Sequence, residues 1–364
     1  MQTAPAPLLS SAMTLTRALP VLLALALPSH AQELPRIGVA APSSGPNAVL
    51  GRQVTEGTEA AMRGRATTVE ADTQCTAEGG RAAAERFAAE KVSVVVGFIC
   101  TESLETALPI LRAAGIAAID IGVRADRFTA QRRRTGDLIW RLAPRSDAEA
   151  TALAAFVLAR WRDGPFGILD DGSIYGRGLA DAVRSKIEAA ELRPAVIDTF
   201  RPAEEKQFGI ARRLLRSGVT RFVVAGERTD AAIIARDAAA SGVNLEMLGG
   251  ESFLDEPSET AQLPVGTHAV APQTRFPSIA GPGRADATER QGYFGPAFVA
   301  ATIAQVTVAE ADASKRPLSV ILDEHPFSTP LGDVRFDEHG DSNLDLFRTF
   351  RFDGQDFGEE EPNG

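Results

Sequence analysis

Residues 94–103 read VVVGFICTES. A run of valines stops at Gly97, and a cysteine, two hydroxyls and a carboxylate follow at Cys100, Thr101, Ser103 and Glu102. The apolar run predicts a strand over 92–98, buried on both faces. The pattern after it predicts a helix over 102–114, starting near Thr101 or Glu102. The first turn of such a helix carries unpaired backbone N–H groups and the positive end of the helix dipole. With a hydroxyl at Thr101 or Ser103, that turn can receive a carboxylate or a phosphate. Glu102 would then have to point away from the anion. Plain capping is the alternative: Thr101 closes the helix start and Glu102 is favourable in its first turn.

Other chemistry is sparse. HExxH, GxSxG, P-loop and CxxC patterns are absent. YGRGL (175–179) lacks the third glycine of a dinucleotide-binding fingerprint. Asp170 and Asp171 end a predicted strand, where α/β sheets place their sites, but loop capping explains them as well. His268, His325 and His339 form no cluster that would complete a metal site with Cys75 and Cys100. The sequence therefore points to binding without chemistry, and no cofactor or metal is expected.

The elements that position these residues alternate. Strands are predicted at 36–42, 67–71, 92–98 and 116–121, with helices at 52–63, 77–90 and 102–114 between and after them. An extended connection over 137–145 follows, and the alternation restarts. Helices at 147–162, 175–190, 204–217 and 229–241 alternate with strands at 166–171, 195–200, 221–227 and 245–251. This order implies two α/β units, each with a parallel sheet covered on both faces. Residues 257–290 read as loops and irregular strands, and a helix resumes over 292–313. The alternation in 332–354, around DEHGD, predicts an antiparallel hairpin added to one unit. The tail GEEEPNG is expected to fray.

The chain has 364 residues, 44% of them hydrophobic, enough for one large or two ordinary domains. Its net charge of −10 argues against nucleic acid as a partner. Arg17, the apolar stretch LPVLLALAL (19–27) and the small residues Ser29 and Ala31 have the order of an export signal, with cleavage after Ala31. A buried N-terminal helix is the alternative, and Met13 would serve as a start as well as Met1. No cysteine follows the expected cut to take a lipid, and no later stretch reads as a membrane span. An exported chain with two cysteines favours one Cys75–Cys100 disulfide over two buried thiols. It would close a loop of roughly 26 residues and contribute about 3 kcal/mol.

Seven segments, taken in order, carry a resemblance: IGVAAPSSGPNAVLGRQVTEGTEAA (37–61), ADTQCTAEGGRAAAERF (71–87), VVVGFICTESLETALPILRAAGI (94–116), ILDDGSIYGRGLADAV (168–183), RFVVAG (221–226), LGGES (248–252) and GDVRFDEHGD (332–341). Together they resemble the periplasmic substrate-binding proteins of branched-chain amino-acid transport, the Leu/Ile/Val-binding family. The resemblance implies a type I periplasmic binding fold: two Rossmann-like α/β lobes joined by three crossovers, with the ligand between them. It implies a lobe of 32–140 plus 255–330 and a second of 141–254 plus 331–364, after a signal of 1–31. It also implies capture of an amino acid or related organic acid in the periplasm, by a soluble monomer that delivers it to an inner-membrane ABC permease. A sensor of the same fold, feeding a membrane receptor, is the alternative, and an exported enzyme is a third.

The family's disulfide falls on Cys75 and Cys100, and its carboxylate-holding hydroxyl on Thr101. Its amine-holding segment falls on Val123 and Arg124, the tyrosine of its D-x-x-x-Y-G motif on Tyr175, and its ammonium-pairing acid on Glu251. Its apolar wall falls near Leu50. This sequence departs from the pattern at Arg124, where Thr or Ser is usual, and near Arg228, where an aromatic residue is usual. Guanidinium groups suit carboxylates and not an aliphatic pocket. Arg124 therefore either binds an anionic group of the ligand or pairs with Glu227 or Glu251 across the cleft.

Overall fold

Short apolar runs, most of them buried and followed by a helix, build two separate sheets in a computed structural model of the chain. The described residues are 1–4, 34–62, 65–279 and 291–360. The expected export signal falls almost wholly outside them. Residues from Leu34 onward form one unit.

In chain order the elements are β1 (Arg36–Ala41), α1 (Ala48–Met62), β2 (Thr67–Asp72), α2 (Ala77–Ala89), β3 (Val94–Gly97), α3 (Thr101–Ala114), β4 (Ala117–Asp120), α4 (Arg127–Ala130), α5 (Arg132–Thr135) and β5 (Ile139–Arg141). Then come α6 (Ala148–Arg160), β6 (Gly167–Asp170), α7 (Ile174–Ala189), β7 (Val196–Thr199), α8 (Phe208–Ser217), β8 (Arg221–Ala225), α9 (Arg228–Ala240) and β9 (Glu246–Gly249). The remainder comprises β10 (His268–Pro272), α10 (Phe294–Ser314), α11 (Leu318–Glu324), β11 (Phe327–Thr329), β12 (Gly332–Val334), β13 (Phe347–Phe352) and β14 (Phe357–Glu359).

The first sheet has the order β2-β1-β3-β4-β5 and is parallel throughout. Helices α1 and α10 cover one face, where Val54, Met62, Ala297, Ala301 and Ala304 pack on Ile37, Val39, Val94 and Val96. Helices α2 and α3 cover the other, where Phe87, Leu104, Leu108 and Leu111 pack on Ala40, Val95 and Ala118. The second sheet has the order β14-β13-β10-β9-β8-β6-β7, with β13 and β14 antiparallel. Its faces are covered by α6 and α7 and by α8 and α9. Both sheets reverse order beside their first strand, which opens a crevice at the carboxyl ends of the strands.

Sheet membership corrects the expected lobe boundaries. Strand β10 joins the second sheet, whereas Val334 and Phe336 pack into the first lobe's core with α11 and β11. Segment 255–272 and segment 331–342 therefore sit in the lobes opposite to those expected. The predicted hairpin around DEHGD forms only as a short antiparallel turn, with Phe336 opposite Ser342, Asp337 N–H donating to Asp341 O at 2.9 Å and Asn343 N–H donating to Arg335 O at 3.0 Å; the longer strands flanking it pair elsewhere. Strand β12 pairs with β11, and β13 pairs with β10. An alternating pattern fixes which faces are apolar but not which neighbour receives the strand. Of the tail expected to fray, the start pairs in β14 (Phe357–Glu359), Glu360 N–H donates to Thr349 O at 2.8 Å and its carboxylate lies 2.8 Å from Arg160, while residues 361–364 lie outside the described residues.

One further expectation needs correction. Helix α10 is long and apolar enough to cross a membrane, with a mean hydropathy of 1.3. It is instead a core helix, flush against α1: a Cβ on Gly57 would lie 2.4 Å from Phe294 O.

A candidate ligand site between two lobes

On the first lobe, β3 turns into α3 through Gly97 (φ 122°) and Phe98 (φ 56°), both left-handed. A side chain at Gly97 would strike Ala40 O at 2.2 Å, so only glycine fits. Cys100, bonded to Cys75 with Cα atoms 5.2 Å apart, is the residue before the helix. Thr101 follows, half-buried, and its hydroxyl makes no hydrogen bond among the described residues.

The adjacent strand β4 ends on Asp120, which is fully buried. Its Oδ1 accepts from the N–H groups of Gly122 (3.1 Å) and Val123 (2.9 Å), fixing the turn that presents Arg124. Its Oδ2 has no hydrogen-bond partner. Burial pushes this carboxyl up to about 7, against the pull of the two N–H groups and the nearby Arg141. Tyr293, at the start of α10, closes this surface, and its ring edge lies 2.9 Å from where a Cβ on Gly122 would be.

On the second lobe, β9 ends at Gly249 and a single 3₁₀ turn begins at Glu251. Glu149, in the first turn of α6, reaches this turn from behind. Its Oε1 accepts from Glu251 N–H at 2.9 Å and its Oε2 accepts from the Tyr175 hydroxyl. A Cβ on Gly250 would lie 1.9 Å from Glu149 Oε1, so glycine is what lets the carboxylate approach. Burial raises the Glu149 carboxyl above its ordinary value, and the Tyr175 and Glu251 hydrogen bonds only partly offset it. Burial and the Glu149 carboxylate push the Tyr175 hydroxyl up in turn.

The two surfaces meet. Arg124 of the first lobe forms an ion pair with Glu251 of the second, and its guanidinium lies 5.5 Å above the Phe347 ring. Both side chains stay about one-third exposed, 30% and 33%. The chain's two tyrosines both lie here, each within the field of Arg124 and Glu251. The arrangement offers a helix start with a free hydroxyl, one guanidinium and two aromatic hydroxyls. Among the described residues no group of three or more His, Cys, Asp or Glu could hold a metal. Chemically, such groups can hold a small polar molecule by hydrogen bonds and charge.

The family described as periplasmic binding protein matches residues 35–315. The chain belongs to the periplasmic binding protein family. It is a solute-binding protein of the ABC-transporter type and not an enzyme. This binding protein is 24% identical over 343 residues to Leu/Ile/Val-binding protein homolog 1 of Brucella suis biovar 1 (strain 1330), covering 87% of this chain and 90% of that one. A substrate-binding protein from Desulfitobacterium hafniense, in complex with Leu, shares its fold with a TM-score of 0.66 at 19% identity, over 90% of this chain and 100% of that one. A solute-binding protein from R. palustris, in complex with 4-hydroxybenzoate, gives 0.61 at 15% identity, over 91% and 96%. The fold is the type I periplasmic binding fold.

The expected site residues of this binding protein divide. Thr101, Arg124, Tyr175 and Glu251 follow the carboxyl ends of their strands, whereas Val123 is buried and its N–H is taken by Asp120 Oδ1 at 2.9 Å. Leu50 is half-buried in the first turn of α1, beyond the carboxyl end of β1. Ser103 is elsewhere. It is fully buried against α2, where a Cβ on Gly80 would come within 2.1 Å of Ser103 O, and its hydroxyl donates to Cys100 O at 2.8 Å. A residue two positions past the helix start has rotated to the back of the helix. Arg228 is also turned away. It is buried, it donates to Asp255 O at 2.6 Å, and it lies between the Phe352 and Phe357 rings at 5.4 and 5.5 Å. Its aromatic partners are more than a hundred residues away in sequence, so no local pattern announced them. Asp170 and Asp171 cap their loop, accepting from Gly172 and Ser173 N–H at 2.8 and 2.9 Å.

Glu149, Tyr293 and Phe347 escaped the sequence reading. Glu149 looks like an ordinary acidic residue in a helix's first turn. A tyrosine count of two was the one available hint for Tyr293.

Proposed function

We propose that this protein captures a small carboxylate-bearing solute between its lobes, outside the cytoplasmic membrane, and delivers it to an ABC permease. The Arg124–Glu251 pair carries the reading of the ligand's charge. Glu251 is the acid that would receive a ligand ammonium, and it already has a cation. The guanidinium's repulsion of a second cation at ~4 Å, between ~1 and ~4 kcal/mol across effective dielectrics of 80 to 20, offsets most of the attraction the Glu251 carboxylate would offer a ligand ammonium. The α3 start and the Thr101 hydroxyl favour an anion. An organic acid without an α-ammonium therefore suits the site better than leucine, isoleucine or valine. The 4-hydroxybenzoate held by the R. palustris neighbour belongs to that class.

A thermal-shift panel of benzoate, 4-hydroxybenzoate, succinate and leucine tests this on the native chain and on Arg124→Ala. The acids are expected to raise the melting temperature. Arg124→Ala is expected to weaken the best acid about tenfold or more, the value of one charge-assisted hydrogen bond. A panel in which leucine alone binds, or in which Arg124→Ala changes nothing, overturns the reading.

A further inference from the structure

The first crossover leaves the first lobe after Arg141, the last residue of β5, and the third returns through 341–346. Arg141 is fully buried at 1% exposure. Its guanidinium joins two segments, the turn 124–126 and Asp341. Nε donates to Asp341 Oδ1 at 2.8 Å, Nη1 donates to Arg124 O at 3.0 Å, and Nη2 donates to Asp126 Oδ1 at 3.2 Å. The backbone ties Arg141 to the second of these only: its N–H donates to Gly340 O at 2.8 Å, and Ser342 N–H donates to its O at 3.0 Å.

The network continues across the hinge. Arg145, in the first crossover, donates to Asp341 Oδ2 at 2.5 Å. The neighbouring Ser146 hydroxyl donates to Asp126 Oδ2. Two residues on, α6 begins, and its first turn carries Glu149, which holds Tyr175 and Glu251. A continuous polar path therefore runs from Glu251 through α6 and the hinge to the carbonyl of Arg124. Taking an arginine out of water costs several kcal/mol and is repaid only by good geometry on every arm. Neither hydrophobic core needs this guanidinium, and its three partners are not partners of one another.

Rotation of one lobe against the other must be absorbed by backbone changes in the crossovers. Residues 145 and 146 then move relative to Asp126 and Asp341. Their contacts must stretch, and the strain falls on the segment that carries Arg124.

We propose that Arg141 is a positioning residue that couples lobe rotation to the presentation of Arg124: it clamps the Arg124 carbonyl to the Asp126 and Asp341 carboxylates, which the hinge residues Arg145 and Ser146 engage when the lobes are together. This rests on Proposed function only in that Arg124 faces the ligand. A structural staple of the first lobe would use the same hydrogen bonds but would not affect how the lobes are distributed.

The test is a distance measurement between nitroxide labels on Val49→Cys and Ile174→Cys in the chain without added ligand. Both positions are exposed, in the first turns of α1 and α7 on opposite lobes, and the native cysteines are joined to each other. The native background is expected to show mainly the short distance. Arg141→Lys and Arg145→Gln are each expected to lower the short-to-long ratio about fivefold, one hydrogen bond's worth. Combined with Arg124→Ala, Arg141→Lys should add little, because both act on one path. A native distribution in Arg141→Lys with only a lower melting temperature overturns the proposal, and so does full additivity with Arg124→Ala. Should Arg141→Lys not fold, the half-exposed Arg145→Gln decides by the same criterion. Because no acid is added, failure of the ligand panel would be read separately.

Discussion

Replacing Asp120 by asparagine is expected to remove a contribution to stability that the native carboxyl loses as pH rises from 4 to 8. The Asp120 carboxyl stands at about 7 in the folded chain against an ordinary 3.8, because burial penalises its charge. A carboxyl whose folded value is raised stabilises most fully below 3.8, where it is protonated folded or unfolded. That contribution is lost as pH climbs toward 7, because the unfolded chain ionises freely and the folded one does not. The difference corresponds to about 4 kcal/mol between pH 4 and pH 8. Asparagine keeps an oxygen for the Gly122 and Val123 N–H groups and has no charge to lose. Urea unfolding of both chains across that range measures it, and the quantity to compare is variant minus native at each pH. Parallel curves would mean that Asp120 is not the buried acid its surroundings make it. The position also matters for binding: ionised Asp120 puts a negative charge directly beneath the turn that presents Arg124.

Loss of the Cys75–Cys100 bridge is expected to cost roughly 3 kcal/mol, the chain-entropy value for a loop with a sequence separation of 25. The bridge joins a left-handed residue, Cys75 (φ 53°), to the residue just before α3. It therefore holds still the turn that offers Thr101 and its N–H groups. Cys75→Ser with Cys100→Ser should lower the unfolding midpoint and also shrink the melting shift produced by whichever acid binds the native chain, because the turn must then be ordered at the ligand's expense. A variant that loses stability but keeps the full acid shift would confine the bridge to a structural role.

The parts of this protein that were legible in its sequence were those with local causes. Strands such as VVVG (94–97) are continuous apolar runs because they are buried on both faces, and helices α2, α3 and α7 show their periodicity and their starts within a dozen residues. Two parallel sheets, the disulfide, and Arg124 with Glu251 as a pair across the cleft were all within reach of that reasoning. Ser103 and Arg228 were not. Whether a polar side chain faces a crevice or the back of its own helix depends on a rotation of about 100° per residue, and whether a guanidinium is free depends on what else arrives beside it.

What the sequence determined alone was element order, sheet type and the strand ends at which a ligand site could lie, because burial pattern and capping are properties of neighbouring residues. What only the tertiary structure decided was which lobe received β10 and β12, which strand β13 paired with, and which side chains met between the lobes. Glu149 and Glu251 are 102 residues apart, and Arg141 and Asp341 are 200 apart. Contacts of that range are set by how two sheets and three crossovers close on each other, and no local pattern of residue types encodes that closure.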